Sequence, residues 1–358
     1  MARYNFDVQV KDTTSLQKVQ NIVINRGRSQ VQDPFRVGTA TIQGTSPNLL
    51  PALVIGDKIE INCVSPFTPM FYGTIADIKI DYGYVANADT WTIYCEDNLA
   101  KAGRALTPST GSITNGATTV EAAVNIGTQS GVSVQNIFSS TSTTKVSGQT
   151  LANENLLSVL QQLVFTEQGR LVNIENGIAF YTRNDVGLFN VASFSDGTLT
   201  ATNPVVPFDR VQFYSQVDSY FTKAVVEPAG LASQSSGSGS RTFSGASYNQ
   251  TTADAENLAA YVLATLTVNN QVPQMVACNS ERQTNDAALV AMAGAGDGIR
   301  CEIILRGSRY QVFLEGGTMT ATPEQTLFVF DVVSSAANDF FILDSTTFGV
   351  LNTNRLGL

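Results

Sequence analysis

Short runs in which apolar and polar residues alternate dominate the amino-terminal part of the chain. Alternation with a period of two is the pattern of a strand with one buried face, and turn-forming residues separate the runs. The predicted strands are residues 4–10, 19–24, 36–43, 58–64, 71–80 and 90–96. Short strands at this spacing are typical of a small β-barrel or sandwich, and we predict a first β-barrel over residues 1–104.

The pattern then changes to mixed helix and strand. Residues 150–166 carry leucine and valine at helical spacing, and the expected cap is Thr150 or Asn153. A hairpin is predicted around Asn176-Gly177, because this pair favours the positive φ angles of a tight turn. We therefore predict a compact α/β insert domain over residues 105–186.

Strands resume after the insert, but a Gly/Ser-rich segment interrupts them. Residues 232–247 hold too little apolar surface to offset the entropy of ordering them, which predicts a solvent-exposed mobile loop. An amphipathic helix is predicted at 253–268, and a strand-rich region follows. We assign residues 187–335 to a second β-barrel region and residues 336–358 to a carboxyl-terminal extension.

A three-part sequence repeat connects the two β regions. The first region contains, in order, Gly56-Asp57, Phe71-Tyr72-Gly73 and Thr92 to Asp97. The second region contains, in the same order, Gly296-Asp297, Phe313 to Thr318 and Leu327 to Asp331. Each match alone is weak and chance is an alternative, but the shared order favours two barrels of related fold. The predicted fold class is mainly β, with two related small β-barrel domains plus a mixed α/β domain.

Composition narrows the range of functions. Charged residues make up 14% of the 358 residues, against about 25% in typical proteins, which suits β-sheet surfaces and subunit contacts. The net charge of −9 disfavours tight binding to a phosphate backbone, although nucleic acid could pass along the protein without binding to it tightly. The chain has no histidine, which excludes Ser-His-Asp and Cys-His nucleophiles, His-ligated zinc and imidazole bases. We predict no catalytic residues, no metal site and no cofactor.

Two features that could suggest chemistry have simpler structural explanations. The cysteines are Cys63, Cys95, Cys278 and Cys301. They lack the spacing of a metal knuckle and are predicted to be buried, inert thiols, although a disulfide between the first two stays open. The segment from Gly294 to Gly298 fits neither the dinucleotide-binding nor the P-loop pattern, because a strand follows it, and it is predicted to be a tight turn.

Three arginines and the single tryptophan are also ambiguous. Arg26, Arg28 and Arg36 could meet an acidic partner or a phosphate, or they could occupy ordinary exposed strand positions. Trp91 lies in an alternating strand and is predicted to pack in the core of the first barrel in preference to stacking on a ligand.

The hydropathy of the sequence does not predict membrane insertion. The amino terminus lacks a charged segment followed by an apolar one, and no run of about 18 apolar residues occurs. We expect a soluble protein that is synthesised in the cytoplasm of its host.

A series of short motifs extends in a specific order over almost the whole chain. The motifs are Ile24 to Ser29, Phe35 to Ile42, Gly56 to Ile59, Phe71 to Gly73, Cys95 to Ala100, Leu156 to Arg170, Ala255 to Pro273 and Phe341 to Gly357. The series resembles the minor tail proteins of long-tailed bacteriophages, which are relatives of the tail or baseplate hub. One departure is the short connection from Gly44 to Ile55, where many members carry a long Asn- and Gly-rich loop.

The resemblance implies a structural protein of the virion tail tip and no enzyme activity. It implies a homotrimeric ring in which each chain supplies two barrels, with the tail tube or distal tail protein on one side and tip, fibre or spike proteins on the other. DNA would pass through the lumen at ejection without specific binding. The internal repeat fits this plan, because three chains with two barrels each present six similar surfaces to a sixfold tube.

Two other hypotheses compete with the hub. A hexameric distal tail protein or a peripheral receptor-binding module would also suit low charge and abundant Ser, Thr and Tyr. The duplicated barrel favours the hub, because a hexamer needs only one ring-forming barrel per chain. A tail-associated cell-wall hydrolase would need a pair among the 30 carboxylates, and nothing in the sequence singles out two of them.

Overall fold

The computed structural model describes residues 4–11, 14–29, 33–84, 88–137, 142, 144–183, 185, 190–201, 203–214, 221–266, 272–283, 285–295 and 298–334. The chain is mainly β, as the sequence predicts. The predicted extension at 336–358 and the Gly296-Asp297 pair lie outside the described residues. No helix in the described part of the chain has both the length and the apolar character needed to cross a bilayer.

The first β region forms the six strands that the alternating pattern predicts and one two-residue strand that the pattern does not predict. They are β1 (Phe6–Val10), β2 (Thr14–Ser15), β3 (Val19–Gly27), β4 (Arg36–Thr45), β5 (Lys58–Val64), β6 (Phe67–Asp81) and β7 (Thr90–Glu96). Along β3, β4 and β7 the apolar side chains at alternate positions are buried, and the polar side chains between them are partly exposed. This period-two burial places one face of the sheet against the core.

The insert combines helices with short strands. Helix α1 (Asn98–Arg104) precedes the insert and packs against its core. The elements of the insert are β8 (Ser112–Ile113), α2 (Thr119–Gln129), β9 (Val134–Gln135), β10 (Gln149–Thr150), α3 (Leu156–Glu167), β11 (Arg170–Ile174) and β12 (Gly177–Tyr181). The predicted hairpin is present, since β11 and β12 pair antiparallel. The predicted cap of α3 is wrong, because Asn155 caps it by accepting a hydrogen bond from the Ser158 amide. Asn153 instead adopts a positive φ in the preceding turn, and Thr150 belongs to β10.

The remaining elements follow in two groups. The first group is β13 (Asn190–Ser195), β14 (Val205–Val206), β15 (Arg210–Tyr214), β16 (Lys223–Pro228), β17 (Gln234–Gly237), β18 (Thr242–Ser247) and α4 (Thr252–Leu266). The second group is β19 (Val272–Asn279), α5 (Asp286–Ala295), β20 (Arg300–Leu305), β21 (Ser308–Ala321) and β22 (Thr326–Ser334). Helix α4 lies where the sequence predicts it, and α5 is a further helix within the region that is predicted to be strand-rich.

The Gly/Ser-rich segment 232–247 is not the loop that its composition predicts. It forms β17 and β18, which flank β16 in a three-stranded sheet. Main-chain hydrogen bonds to β16 order a segment with few apolar side chains. Phe243 adds an aromatic anchor, with its ring 5.7 Å from that of Phe221 and 5.9 Å from that of Phe165. Helix α4 covers the sheet and shares a small core with it.

The two β regions have the same strand order, as the sequence repeat predicts. In the first region β5, β6 and β7 form an antiparallel meander, and β4 then β3 continue the sheet beyond β7. In the second region β20, β21 and β22 form the same meander, and β19 then β15 continue it. The regions differ at the other edge, where β1 runs antiparallel to β5 but β13 runs parallel to β20.

The two regions are joined into one 14-stranded sheet. The second half of β21 pairs antiparallel with β3, so strands from opposite ends of the sequence lie side by side. Among the described residues no sheet closes on itself, so the two predicted barrels are not confirmed.

One hydrophobic core serves both β regions. It includes Ile42, Ile93 and Trp91 from the first region together with Phe328 and Phe194 from the second. Trp91 is 1% exposed and donates a hydrogen bond to the Thr45 carbonyl, which confirms its predicted place in the core. The insert has its own core, built mainly from α1, α2, α3 and the β11–β12 hairpin.

Candidate assembly site at the sheet junction

The junction between β21 and β3 brings the two β regions into direct contact. Gly316–Ala321 pair in register with residues 22–27 of β3. A side chain at Gly316 would lie 2.5 Å from the Arg26 carbonyl oxygen and 2.8 Å from the Arg28 nitrogen. Only glycine therefore permits this close approach of the two backbones. A side-chain hydrogen bond also crosses the junction, since the Thr318 hydroxyl donates to Asn25 Oδ1 at 2.8 Å.

A buried ion cluster lies beside the junction. The Glu315 carboxylate is fully buried and accepts from Arg28 Nε at 2.7 Å and from the Arg170 guanidinium. Both arginine side chains are at most 7% exposed, and the Arg28 guanidinium lies 4.5 Å from the centre of the Phe35 ring. The cluster joins the first β region, the insert and the second β region through one carboxylate.

Electrostatics within the cluster favour the ionised carboxylate. Burial alone raises the pKa of Glu315, but the guanidinium groups of Arg170 and Arg28 outweigh burial and hold that pKa below the ordinary glutamate value. A buried charge is tolerated only when it is paired and hydrogen-bonded, and both oxygens of Glu315 meet this condition.

The sheet face opposite the core carries mostly uncharged polar side chains across the junction. The Thr, Asn and Gln side chains on this face include Asn21, Asn25, Thr39, Thr41, Gln43, Thr92, Thr318 and Thr320. Cross-strand hydrogen bonds tie some of them together, such as the 3.1 Å bond from Asn21 to Gln43. We call this surface the threonine face. Across the junction it offers hydrogen-bonding groups, and its charged side chains are Glu96 of β7 and Asp77, Lys79 and Asp81 of the neighbouring strand β6.

The three arginines that the sequence singles out have different roles. Arg28 is buried in the ion cluster, so the expectation of an exposed strand position is wrong for it. Its charge faces Glu315, which lies 287 positions further along the sequence. Arg26 donates to the Ala293 carbonyl. Arg36 is exposed and lies 3.6 Å from the Asp33 carboxylate.

The cysteines are all free and buried, as predicted, and the disulfide between Cys63 and Cys95 is not formed. Burial raises the pKa of Cys95 to about 12 and raises the pKa values of Cys278 and Cys301 as well. Because the thiolate is the reactive form, these side chains are poor nucleophiles near neutral pH.

Two remaining places could hold a small molecule or ion. A cavity of about 300 Å³ lies between the first β region and the insert. Its Asp97 carboxylate is already occupied, because it accepts from the Gly38 and Leu99 amides and so caps α1. Gly294 lies in helix α5, and a strand follows Gly298, so the segment lacks the helix that a phosphate loop requires. Nowhere in the described ranges do three or more His, Cys, Asp or Glu side chains group to hold a metal ion.

Comparisons with known proteins identify the fold. No family model and no curated protein matches the sequence. Solved structures do match. The 43 kDa tail protein of prophage MuSo2 from Shewanella oneidensis aligns with a TM-score of 0.67 and 12% identity, over 93% of this chain and 99% of that chain. A tail protein from Neisseria meningitidis aligns with a TM-score of 0.63 and 12% identity, over 92% and 97% of the two chains.

A third structure belongs to a secretion machine. It is an E. coli component of the type VI secretion system, described as similar to the T4 bacteriophage tail proteins gp27 and gp5. It aligns with a TM-score of 0.57 and 12% identity over 91% of this chain and 76% of that chain. The chain therefore has the fold of bacteriophage tail proteins, and the resemblance drawn from its short motifs is confirmed at the level of the fold.

Proposed function

We propose that this protein is a structural component of a bacteriophage tail tip, where three copies form a hub around the DNA channel. The observation that carries the proposal is the duplicated strand order within a tail-protein fold. Three chains with two such units each would present six similar surfaces to a sixfold tail tube and three insert domains to a threefold tip. The hub would thus adapt one symmetry to the other.

In this arrangement the threonine face suits the lumen. DNA would meet hydroxyl and amide groups on a protein of net charge −9, and would find few cations that bind phosphate. The proposed neighbours are a tail tube or distal tail protein on one side and tip, fibre or spike proteins on the other. No metal, cofactor or catalytic group enters the proposal.

The test is the number and symmetry of this chain in a reconstructed tail. Three copies in one ring at the tail tip would support the hub. Six copies in one ring would instead identify a distal tail protein, and copies on peripheral fibres would identify a receptor-binding module. Mass measurement of the isolated chain is a weaker test, because ring formation can require the neighbouring proteins.

A further inference from the structure

The cavity of about 300 Å³ between the first β region and the insert is a cleft beside the β11–β12 hairpin. We call it the hairpin cleft. Its apolar lining includes Met70, Phe71, Leu99 and Leu171, each at most 4% exposed. The volume is at the lower end of the range of about 300–1,000 Å³ that is typical of ligand pockets, so it suits one large side chain.

Hydrogen bonds of Asn173 hold the walls of the hairpin cleft together. Its side-chain nitrogen donates to the Tyr72 carbonyl of β6 at 2.7 Å. Its side-chain oxygen accepts from the main-chain and side-chain nitrogens of Asn98 in α1, each at 3.0 Å. One residue of the hairpin thus binds both the sheet and the neighbouring helix. The cleft is therefore formed before any ligand arrives, which lowers the entropic cost of binding.

The exposed end of the hairpin cleft is acidic. Glu175 lines the cleft and lies exposed in the turn between β11 and β12. Glu60 of β5 lies directly opposite Tyr72 of β6, and Tyr72 also lines the cleft. Burial together with the charges of Glu60 and Glu175 raises the pKa of Tyr72 to about 12. Both carboxylates therefore act on the same aromatic side chain.

These two carboxylates have no ion-pair partner in the described part of the chain, where the ion pairs involve other acidic side chains. The polar groups elsewhere in the cleft are engaged. Asp97 accepts from main-chain amides, and Arg26 donates to the Ala293 carbonyl. The hairpin cleft thus combines an apolar lining with two negative charges and an aromatic ring.

We propose that the hairpin cleft binds an arginine side chain of a neighbouring tail-tip protein. The methylene groups would lie along the apolar lining, and the guanidinium would stack on the Tyr72 ring and face Glu60 and Glu175. Arginine suits the cleft better than lysine, because its planar guanidinium is weakly hydrated and contacts carboxylates and aromatic rings together. Within the described ranges no third acidic, cysteine or histidine side chain joins the two carboxylates to hold a metal ion.

This inference rests on the proposed function for the identity of the partner. In the proposed hub the insert faces the tip, so three copies would offer three equal clefts to a threefold protein. Arginine is enriched among the residues that dominate the binding energy of protein interfaces. The expected ligand is therefore a tip-protein segment in which an arginine has apolar neighbours.

The test is a titration of the isolated chain with the peptide acetyl-Leu-Arg-Leu-amide, followed by NMR of labelled methionine methyl groups. The chain has five methionines, of which Met70 lines the cleft and Met275 lies in β19. The Met70 signal, assigned with Met70→Leu, is expected to shift to saturation while the Met275 signal stays in place. The uncharged peptide acetyl-Leu-Gln-Leu-amide should bind at least about tenfold more weakly.

The double variant Glu60→Gln, Glu175→Gln removes both charges and should weaken binding of the arginine peptide by about tenfold. The matched control is Glu256→Gln, Glu324→Gln, which neutralises two exposed carboxylates outside the cleft and should leave binding unchanged. An unchanged Met275 signal shows that each variant is folded. Equal binding of the two peptides, or a Met70 signal that neither peptide shifts, would overturn the arginine site.

Tails assembled with the Glu60→Gln, Glu175→Gln chain separate this inference from the proposed function. A ring of three copies that has lost its tip proteins would support both. A ring of three copies that keeps its full set of tip proteins would overturn the arginine contact and leave the hub. Absence of the wild-type chain from the tail tip would overturn the proposed function and the tip partner, whereas the peptide titration tests the cleft by itself.

Discussion

A single carboxylate, Glu315, is held between guanidinium groups from two other parts of the chain. Removing one member of a buried ion pair leaves its partners charged and without compensation in a low-dielectric site, which is costly. The stability of the molecule should therefore depend on this side chain far more than on any exposed pair.

The substitution Glu315→Gln is expected to lower the free energy of unfolding by about 3–5 kcal/mol. The amide keeps the shape but leaves Arg28 and Arg170 without a counter-charge. Urea denaturation followed by tryptophan fluorescence measures the loss, since Trp91 is buried. The control is Asp81→Asn, which removes an exposed ion pair and should leave the unfolding midpoint nearly unchanged. Equal effects of the two variants would contradict the role of the cluster.

The same carboxylate predicts a dependence of stability on pH. Its pKa is lower in the folded protein than in the unfolded chain, so its contribution is fully present above the ordinary glutamate pKa of about 4.3. That contribution is lost as the pH falls below this value towards the pKa of the folded state. The difference in unfolding free energy between the wild type and Glu315→Gln should shrink between pH 5 and lower pH, as urea titrations would show. A constant difference would contradict the depressed pKa.

The ion cluster could not be predicted from the sequence. Glu315 is one of 30 acidic residues, and its partners lie 287 and 145 positions away. Neither the local hydrophobic pattern nor the spacing of residues in the sequence indicates that Glu315, Arg28 and Arg170 are in contact. Trp91 was predictable, because the alternation of its own strand assigns it to the buried face.

At the level of elements, short sequence motifs predict those helices, turns and strands that depend on contacts between residues close in the sequence. The β11–β12 hairpin follows from Asn176-Gly177, and the strand order of each meander follows from the sequence repeat. The composition of residues 232–247 does not predict strands, because these residues are ordered by main-chain pairing with β16 and not by apolar side chains of their own. The β21–β3 joint was missed for a related reason, since its strands are separated by most of the chain.

The close approach at this joint predicts an asymmetric response of two glycines. Gly316→Ala places a methyl group against the backbone of Arg26 and Arg28, neither of which can move without breaking strand pairs, and is expected to cost about 1–3 kcal/mol. Gly103→Ala in α1 meets only a side-chain methyl of Leu157 at 3.6 Å and should be neutral or stabilising. The measurement is the urea unfolding midpoint of each variant, which should fall for Gly316→Ala and should stay the same or rise for Gly103→Ala. An unchanged midpoint for Gly316→Ala would show that the joint is looser than described.

At the level of the whole molecule, the proposed role predicts that the purified chain does not hydrolyse cell walls. The sequence has no histidine, and nothing in it singles out two of the 30 carboxylates as a general acid and base. Turbidity of a peptidoglycan suspension should stay constant after the protein is added, with lysozyme as the positive control. Clearing that a single Asp or Glu substitution abolishes would contradict this prediction.

The joint between β3 and β21 also has a consequence for synthesis. The Asn25 and Thr318 side chains that meet across it are 293 positions apart. At typical translation rates, β3 leaves the ribosome roughly 15–60 s before β21 does. During that interval one edge of β3, flanked by apolar side chains, has no strand to pair with from its own chain. A nascent chain of this fold is therefore at greatest risk of aggregation on the ribosome, and chaperones that hold unpaired strands would raise its yield.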